Sequence, residues 1–320
     1  MSLARPPYDP ELRAYLESGD IPALDITVDR IADLRAEMAQ MSPPLADIVA
    51  QAGLEHTELS VPGPEGAPDV TLSVVRRPGA SGAAPCVYFI HGGGMIVGDR
   101  STGAAAFPEW IERFGVTVVS VEYRLAPEHP HPAPVEDCYA GLVWVAKHAA
   151  EIGVDPERVL LAGGSAGGGL AAAVALLCRD RGGPRLVGQL LNCPMLDDRD
   201  QTVSSRQYED ALVWNRQHNV VGWTALLGAA KGIDGVSPYA APARATDLSG
   251  LPPAFIDTGS AEVFRDEDVD YASRIWAAGG QAELHVWAGG FHGFGMIREA
   301  TLSRAADDAV HNWMGRVLDA

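Results

Sequence analysis

Val159-Leu160-Leu161-Ala162-Gly163-Gly164-Ser165-Ala166-Gly167 is the stretch from which the fold can be read. An apolar run enters it and an alanine-rich stretch, Leu170 to Leu177, follows, so it reads as strand, sharp turn and helix. A serine on such a turn takes strained backbone angles and needs small neighbours. Glycines at 163 and 167 meet that need. Ser165 then stands exposed at a helix start as a candidate nucleophile. The competing reading is an ordinary glycine-rich turn that holds phosphate at a helix N-terminus.

Segments on either side favour the nucleophile. Cys86-Val87-Tyr88-Phe89-Ile90 reads as a buried strand running into His91-Gly92-Gly93-Gly94, where backbone amides can approach a ligand without Cβ interference. Gly290-Phe291-His292-Gly293-Phe294 places a histidine in a tight loop after the strand-like Glu283 to Trp287. A serine hydroxyl holds its proton at neutral pH and needs an imidazole to accept it during attack. Of nine histidines, His292 alone sits in a glycine-rich loop after the last strand. That imidazole needs a carboxylate on its other nitrogen, beyond the strand Ala254 to Thr258. Glu262, Asp266 and Asp257 are the candidates. Ala166, which follows the serine at a helix start, offers its N–H to a developing oxyanion.

Together these residues resemble the hormone-sensitive-lipase-like α/β-hydrolases, the bacterial family IV esterases. The likeness rests on His91 to Gly94, on Tyr123-Arg124-Leu125-Ala126-Pro127-Glu128-His129-Pro130, and on Gly163 to Gly168. It continues through Glu262-Val263-Phe264-Arg265-Asp266-Glu267 and Phe291 to Phe294, over residues 70 to 318. The order serine, acid, histidine is that of the α/β-hydrolases. The resemblance implies Ser165, His292 and Glu262 as the triad, with Asp266 to Asp268 decorating the next helix's first turn. It implies Gly93, Gly94 and Ala166 as oxyanion donors, supported by His91, Gly92, Gly163 and Gly167. Arg124 and Glu128 are expected to pair and brace loops under the site. Two departures stand out. Glutamate occupies 262 where relatives usually carry aspartate, and Gly164 replaces an aspartate common before the nucleophile. The second either loosens the turn or opens space beside it.

Strand-like runs lie at 70–76, 86–90, 116–122, 159–162, 187–192, 254–258 and 283–287. Helical patterns fall between them, at 103–114, 134–151, 166–181, 266–278 and 303–318. Such alternation indicates an α/β fold, a mostly parallel central sheet flanked by helices on both faces. A helical stripe from Ile26 to Met41 precedes the first of these strands, and residues 198–249 break the rhythm. The expected division is residues 1–50 as the first part of a helical cap and 198–249 as its insertion. The α/β-hydrolase core then occupies 51–197 and 250–320.

The chain has 320 residues, 47% of them hydrophobic and 21% charged, enough for a large core. Twenty-four basic against forty-two acidic residues give a net charge of −18, which disfavours nucleic acid and anionic membranes as partners. Cys86, Cys138, Cys178 and Cys193 form no C-x-x-C pair and read as buried free thiols. His129 and His131 lack a third ligand, so no metal is expected, and no cofactor fingerprint appears. The first residues lack a signal-peptide pattern and no apolar run is long enough to cross a bilayer, so a cytoplasmic location is expected. The resemblance also carries the expectation of a homodimer through the last strand and helix.

It further implies a serine carboxylesterase acting on small esters of short to medium acyl length, with Met38, Met41, Trp214 and Phe291 as candidate pocket walls or plain packing. The same triad would serve a lactone, carbamate, amide or N-acetyl substrate. A non-catalytic binder of this fold would have lost a triad residue or filled the oxyanion loop. This chain has done neither.

Overall fold

Strands made of continuous Val, Ile and Leu have no polar face for solvent, so they must be covered on both sides. The computed structural model describes residues 3–19, 25–41 and 43–319, and shows how this is done. Among the described residues one sheet holds β1 (Glu55–Val61), β2 (Val70–Arg76), β3 (Ala84–Ile90), β4 (Thr117–Glu122), β5 (Val154–Gly164), β6 (Gly188–Asn192), β7 (Ala254–Gly259) and β8 (Ala282–Trp287). Their spatial order is β1-β2-β4-β3-β5-β6-β7-β8. β2 pairs antiparallel with β1 and β4, and every other pair is parallel.

The helices are α1 (Pro10–Ser18), α2 (Ile31–Met41), α3 (Leu45–Gln51), α4 (Phe107–Phe114), α5 (Ala133–Lys147), α6 (Ala166–Arg181), α7 (Val203–Gln207), α8 (Arg216–Leu227), α9 (Arg265–Ala277) and α10 (Thr301–Leu318). The pleat sorts the core into two. Cys86, Tyr88 and Ile90 of β3 join Leu142 of α5 and Val174 of α6 in one cluster. Their neighbours Val87 and Phe89 join Phe107 and Trp110 of α4 and Trp313 of α10 in another. Burying each such side chain contributes roughly 1.5–3 kcal/mol. No helix among the described residues is long and apolar enough to cross a membrane.

Three elements escaped the sequence reading. β1 is an edge strand carrying Glu55, His56, Glu58 and Ser60, whose polar side chains mask its strand character. The short helices α1 and α3 are the others. The expected helix at Ile26 to Met41 begins as a 3-10 turn at Val28–Arg30 and becomes α-helical from Ile31.

The N-terminal helices do not all serve one place. Leu12 of α1 packs in a cluster with Phe291, Phe294 and Ile297, while Leu45 and Val49 of α3 join the α4 and α10 side of the core. Helix α2 reaches over the sheet's C-terminal edge. Arg35 ties it there, donating to the carbonyls of Ile96 and Ala126 at 2.7 Å each and to both oxygens of Glu128 at 2.9 Å. The 198–249 segment is clamped at its ends by Asp198, which is fully buried. Asp198 accepts from Arg244 at 2.7 and 3.0 Å and from the Gly232 amide at 2.7 Å.

Candidate active site

Parallel strands end together, and here their carboxyl ends build one cleft, the usual ligand position in such sheets. In register, Ile90 pairs with Gly163, Gly164 with Asn192, Asn192 with Asp257, and Gly259 with Trp287. Each functional loop leaves from one of these ends.

Ser165 sits between β5 and α6 at φ +56° and ψ −123°, a region that non-glycine residues rarely occupy. The strain is held by the surroundings. Its N–H donates to the Asn192 carbonyl at 2.8 Å, and its own carbonyl accepts from Met195 at 2.9 Å and Gly169 at 3.0 Å. Gly163 and Gly167 are required by packing. A Cβ at 163 would lie 2.3 Å from the Gly167 carbonyl oxygen, and one at 167 would lie 2.1 Å from that of Ile90.

His292 Nε2 lies 3.0 Å from Ser165 Oγ, and its Nδ1 lies 2.6 Å from Glu262 Oε2. The other oxygen of Glu262 accepts from Thr258 Oγ1 at 2.7 Å and the Gly259 amide at 2.8 Å. An ionised carboxylate only accepts, so Nδ1 carries the ring proton and Nε2 is left to take one from the serine. Glu262 is 1% exposed. Phe264 meets the His292 ring edge-on at 5.0 Å and Trp214 lies 6.2 Å from it.

The two rival carboxylates are spoken for. Asp257 lies within β7 and accepts from Asn192 Nδ2 at 2.9 Å and Trp287 Nε1 at 3.0 Å. Burial pushes its carboxyl up to about 6. Asp266 accepts from the Ser204 amide at 2.7 Å and pairs with Arg265 at 2.8 Å. Glu267 and Asp268 do stand in the first turn of α9, but they are buried, and Glu267 accepts from the amides of Leu196 and Asp197 at 2.8 and 3.1 Å.

Gly93 and Gly94 hold φ of +112° and +62°, and a Cβ at Gly94 would lie 2.4 Å from the Trp214 ring. No hydrogen bond among the described residues uses the N–H of Gly93, Gly94 or Ala166. Three amides are therefore available beside Ser165 for an anionic oxygen. His91 braces this loop. Its ring stacks on Tyr123 at 4.1 Å, its Nδ1 lies 2.8 Å from the Gly92 carbonyl oxygen, and its own carbonyl accepts from the Tyr123 hydroxyl at 2.9 Å. Burial lowers the imidazole to about 4, so it is neutral at neutral pH and only weakly basic. Gly92 lies close under the elbow, where a Cβ would be 2.9 Å from the Gly164 carbonyl oxygen.

A cavity of about 290 Å³ opens over Ser165 and His292, lined by Ile26, Leu34 and Met38 from the N-terminal stretch and by Val213 and Trp214 from the 198–249 segment. Met38 and Trp214 thus line this cavity, and the Met41 side chain lies outside the described residues. Phe291 does not. It is 3% exposed and packs edge-on against Tyr8, because the turn that aims His292 at Ser165 sends its neighbour the other way. The expected Arg124–Glu128 pair is also absent. Arg124 holds Asp137 of α5 through three contacts of 2.7–3.0 Å, and Glu128 belongs to Arg35.

Cys193 was read only as a buried thiol. It stands on the loop after β6 at φ +38°, and its sulfur lies within 4.8 Å of ligand atoms of Glu262 and His292. Those three residues are the ones whose donor atoms converge closely enough to hold a metal ion among the described residues. Cys193 is only partly buried, unlike the other three cysteines, and desolvation together with the Glu262, Asp257 and Asp268 carboxylates raises its thiol above the usual range.

A family model described as the alpha/beta hydrolase fold matches residues 87–296. Carboxylesterase NlhH of Mycobacterium tuberculosis is 36% identical over 289 residues, covering 88% of this chain and 87% of that protein. Carboxylic ester hydrolase LipN of the same organism is 36% identical over 295 residues, covering 89% of this chain and 76% of that one. Among solved structures, one described as a bacterial heroin esterase superposes with a TM-score of 0.88 at 38% identity, over 97% of this chain and 98% of the other. Esterase LipW from Mycobacterium marinum does so with a TM-score of 0.87 at 33% identity, over 98% of both chains.

Proposed function

The chain belongs to the hormone-sensitive-lipase-like family of the α/β-hydrolase fold and is a carboxylic-ester hydrolase; we propose that it works through an acyl-enzyme on Ser165. The observation that carries this reading is the unbroken relay from Glu262 Oε2 to His292 Nδ1 at 2.6 Å and from His292 Nε2 to Ser165 Oγ at 3.0 Å.

Ser165 Oγ attacks the ester carbonyl as His292 Nε2 takes its proton, and Glu262 steadies the imidazolium. The amides of Gly93, Gly94 and Ala166 receive the oxyanion. The imidazolium gives its proton to the departing alkoxide, and the alcohol leaves. Water enters, loses a proton to His292 and attacks the acyl carbonyl. The second tetrahedral intermediate collapses, the proton returns to Ser165, and the free acid departs.

Helix α2 and residues 198–249 act in this proposal as the two parts of a cap. The cavity they roof has a volume of about 290 Å³, near the lower end of the range of roughly 300–1,000 Å³ for ligand sites, and suits short to medium acyl chains. A cytoplasmic location is part of the proposal, supported by four cysteines that remain unpaired.

A fluorophosphonate tests the mechanism. One adduct per chain, mapped to Ser165 and lost in Ser165→Ala, is expected; a labelled protein whose adduct lies elsewhere would overturn the assignment.

A further inference from the structure

Two cavities meet at the elbow. The front one is the apolar chamber over Ser165, and a second of about 240 Å³ lies behind it. They share the wall residues Phe89, Gly103, Gly164, Cys193 and Gly293. Two of the three wall glycines are dictated by the backbone, since Gly103 and Gly293 hold φ of +91° and +77°. Gly164 is not. Its φ lies outside the left-handed region, and a Cβ there would meet only Asn192, whose carbonyl oxygen and Cβ stand at 3.8 and 3.9 Å. The backbone and its neighbours would accept a side chain, so its absence leaves space between the chambers rather than loosening the turn.

The rear chamber has different chemistry from the front. Asp257 forms part of its wall, as does Asp307 of α10, and the Asp307 carboxylate makes no hydrogen bond or ion pair among the described residues. The guanidinium on the same wall, Arg298, is occupied by the Ala105 carbonyl and the Glu109 carboxylate at 3.1 Å each. His311 also faces it, and burial keeps that imidazole below its usual range and neutral. The acidic groups on and around this wall, Asp257, Asp307, Asp308 and Glu109, outnumber the cations Arg298 and Arg113 that act on Asp307, so the balance there is negative.

We propose that Gly164 joins the two cavities into one two-chamber substrate site, and that the ester it accepts carries an apolar arm for the front chamber and a protonated amine arm for the carboxylates behind. The inference rests on the esterase reading above. It makes Gly164 a determinant of specificity, because a bulky side chain there would fill the passage.

Two matched ester pairs test it. In the first, the acetate of dimethylaminopropanol is set against its carbon isostere, in which CH replaces nitrogen. In the second, ethyl dimethylaminobutanoate is set against its own isostere, which moves the amine to the acyl arm. In at least one pair the wild type should show a KM about tenfold lower for the amine. Gly164→Leu should bring that ratio to within about twofold by filling the passage, and Asp307→Asn should do so with the passage left open. A wild type that treats both members of each pair alike, or a Gly164→Leu enzyme that keeps the preference, would overturn the two-chamber site. Hydrolysis of p-nitrophenyl acetate by the wild type reports separately. If that substrate is inert and fluorophosphonate leaves Ser165 unlabelled, the esterase mechanism itself has failed.

Discussion

Glu262 reaches His292 with one carboxylate oxygen, at 2.6 Å, only because Thr258 and Gly259 hold the other oxygen at the end of β7. Those anchors fix the glutamate side chain in place. Glu262→Gln keeps the shape but removes the negative charge that stabilises the imidazolium, and kcat should fall by about 10³–10⁴-fold. Asp266→Asn should stay within about threefold, since that carboxylate serves Ser204 and Arg265. Steady-state kinetics of the two variants would reassign the acid if the ranking reversed.

Gly94 and Trp214 are pressed together, with room for no Cβ between them. Gly94→Ala should lower kcat by about 10²-fold by moving an oxyanion amide. Adding Trp214→Leu should recover part of the loss. Absence of any recovery would show that the backbone angle, not the ring, is what alanine offends.

Acyl length should track the front cavity. Rates on p-nitrophenyl esters are expected to peak at short chains, and Met38→Ala should move the optimum to longer ones. A wild-type maximum at long chains would contradict the volume of about 290 Å³.

His91 predicts an acid-sensitive fold. Its imidazole stays neutral in the native state down to about pH 4, against 6.5 for the free group. Between those values the unfolded chain holds the extra proton, so stability falls as pH drops from 6.5 toward 4 and is fully retained above. Relative to His91→Gln, the wild type should gain on the order of 3 kcal/mol across that window and nothing beyond it. Denaturant melts at several pH values measure the difference, and a flat difference would show that His91 is not the group responsible.

Asp137 is 1% exposed and depends on Arg124, whereas Glu128 is half exposed opposite Arg35. Arg124→Met should cost about 3 kcal/mol of stability by stranding a buried carboxylate. Glu128→Gln should cost under about 1 kcal/mol. Comparable losses in chemical denaturation would argue against this division.

Features set by the local chain could be read early. Gly163 and Gly167 are small because carbonyl oxygens crowd their α-carbons, and Gly93 and Gly94 because their φ is positive. Those demands act within one turn and leave a mark in residue type. The apolar runs of β3 to β7 were legible for a similar reason, since a strand covered on both faces has no polar side. β1 was not, because an edge strand carries polar residues that also suit a loop.

Residue types and their order were enough to yield the elbow, the glycine loop, the histidine and the mostly parallel sheet. The resemblance already pointed to Glu262, but residue types alone left Asp257, Glu262 and Asp266 open, because they sit within ten positions and differ only in where β7 and α9 aim them. The same holds for Phe291 turning into the core, for Arg124 finding Asp137, and for the open space at Gly164. Direction and vacancy arise when distant segments pack against each other, and neither is a property of any single residue.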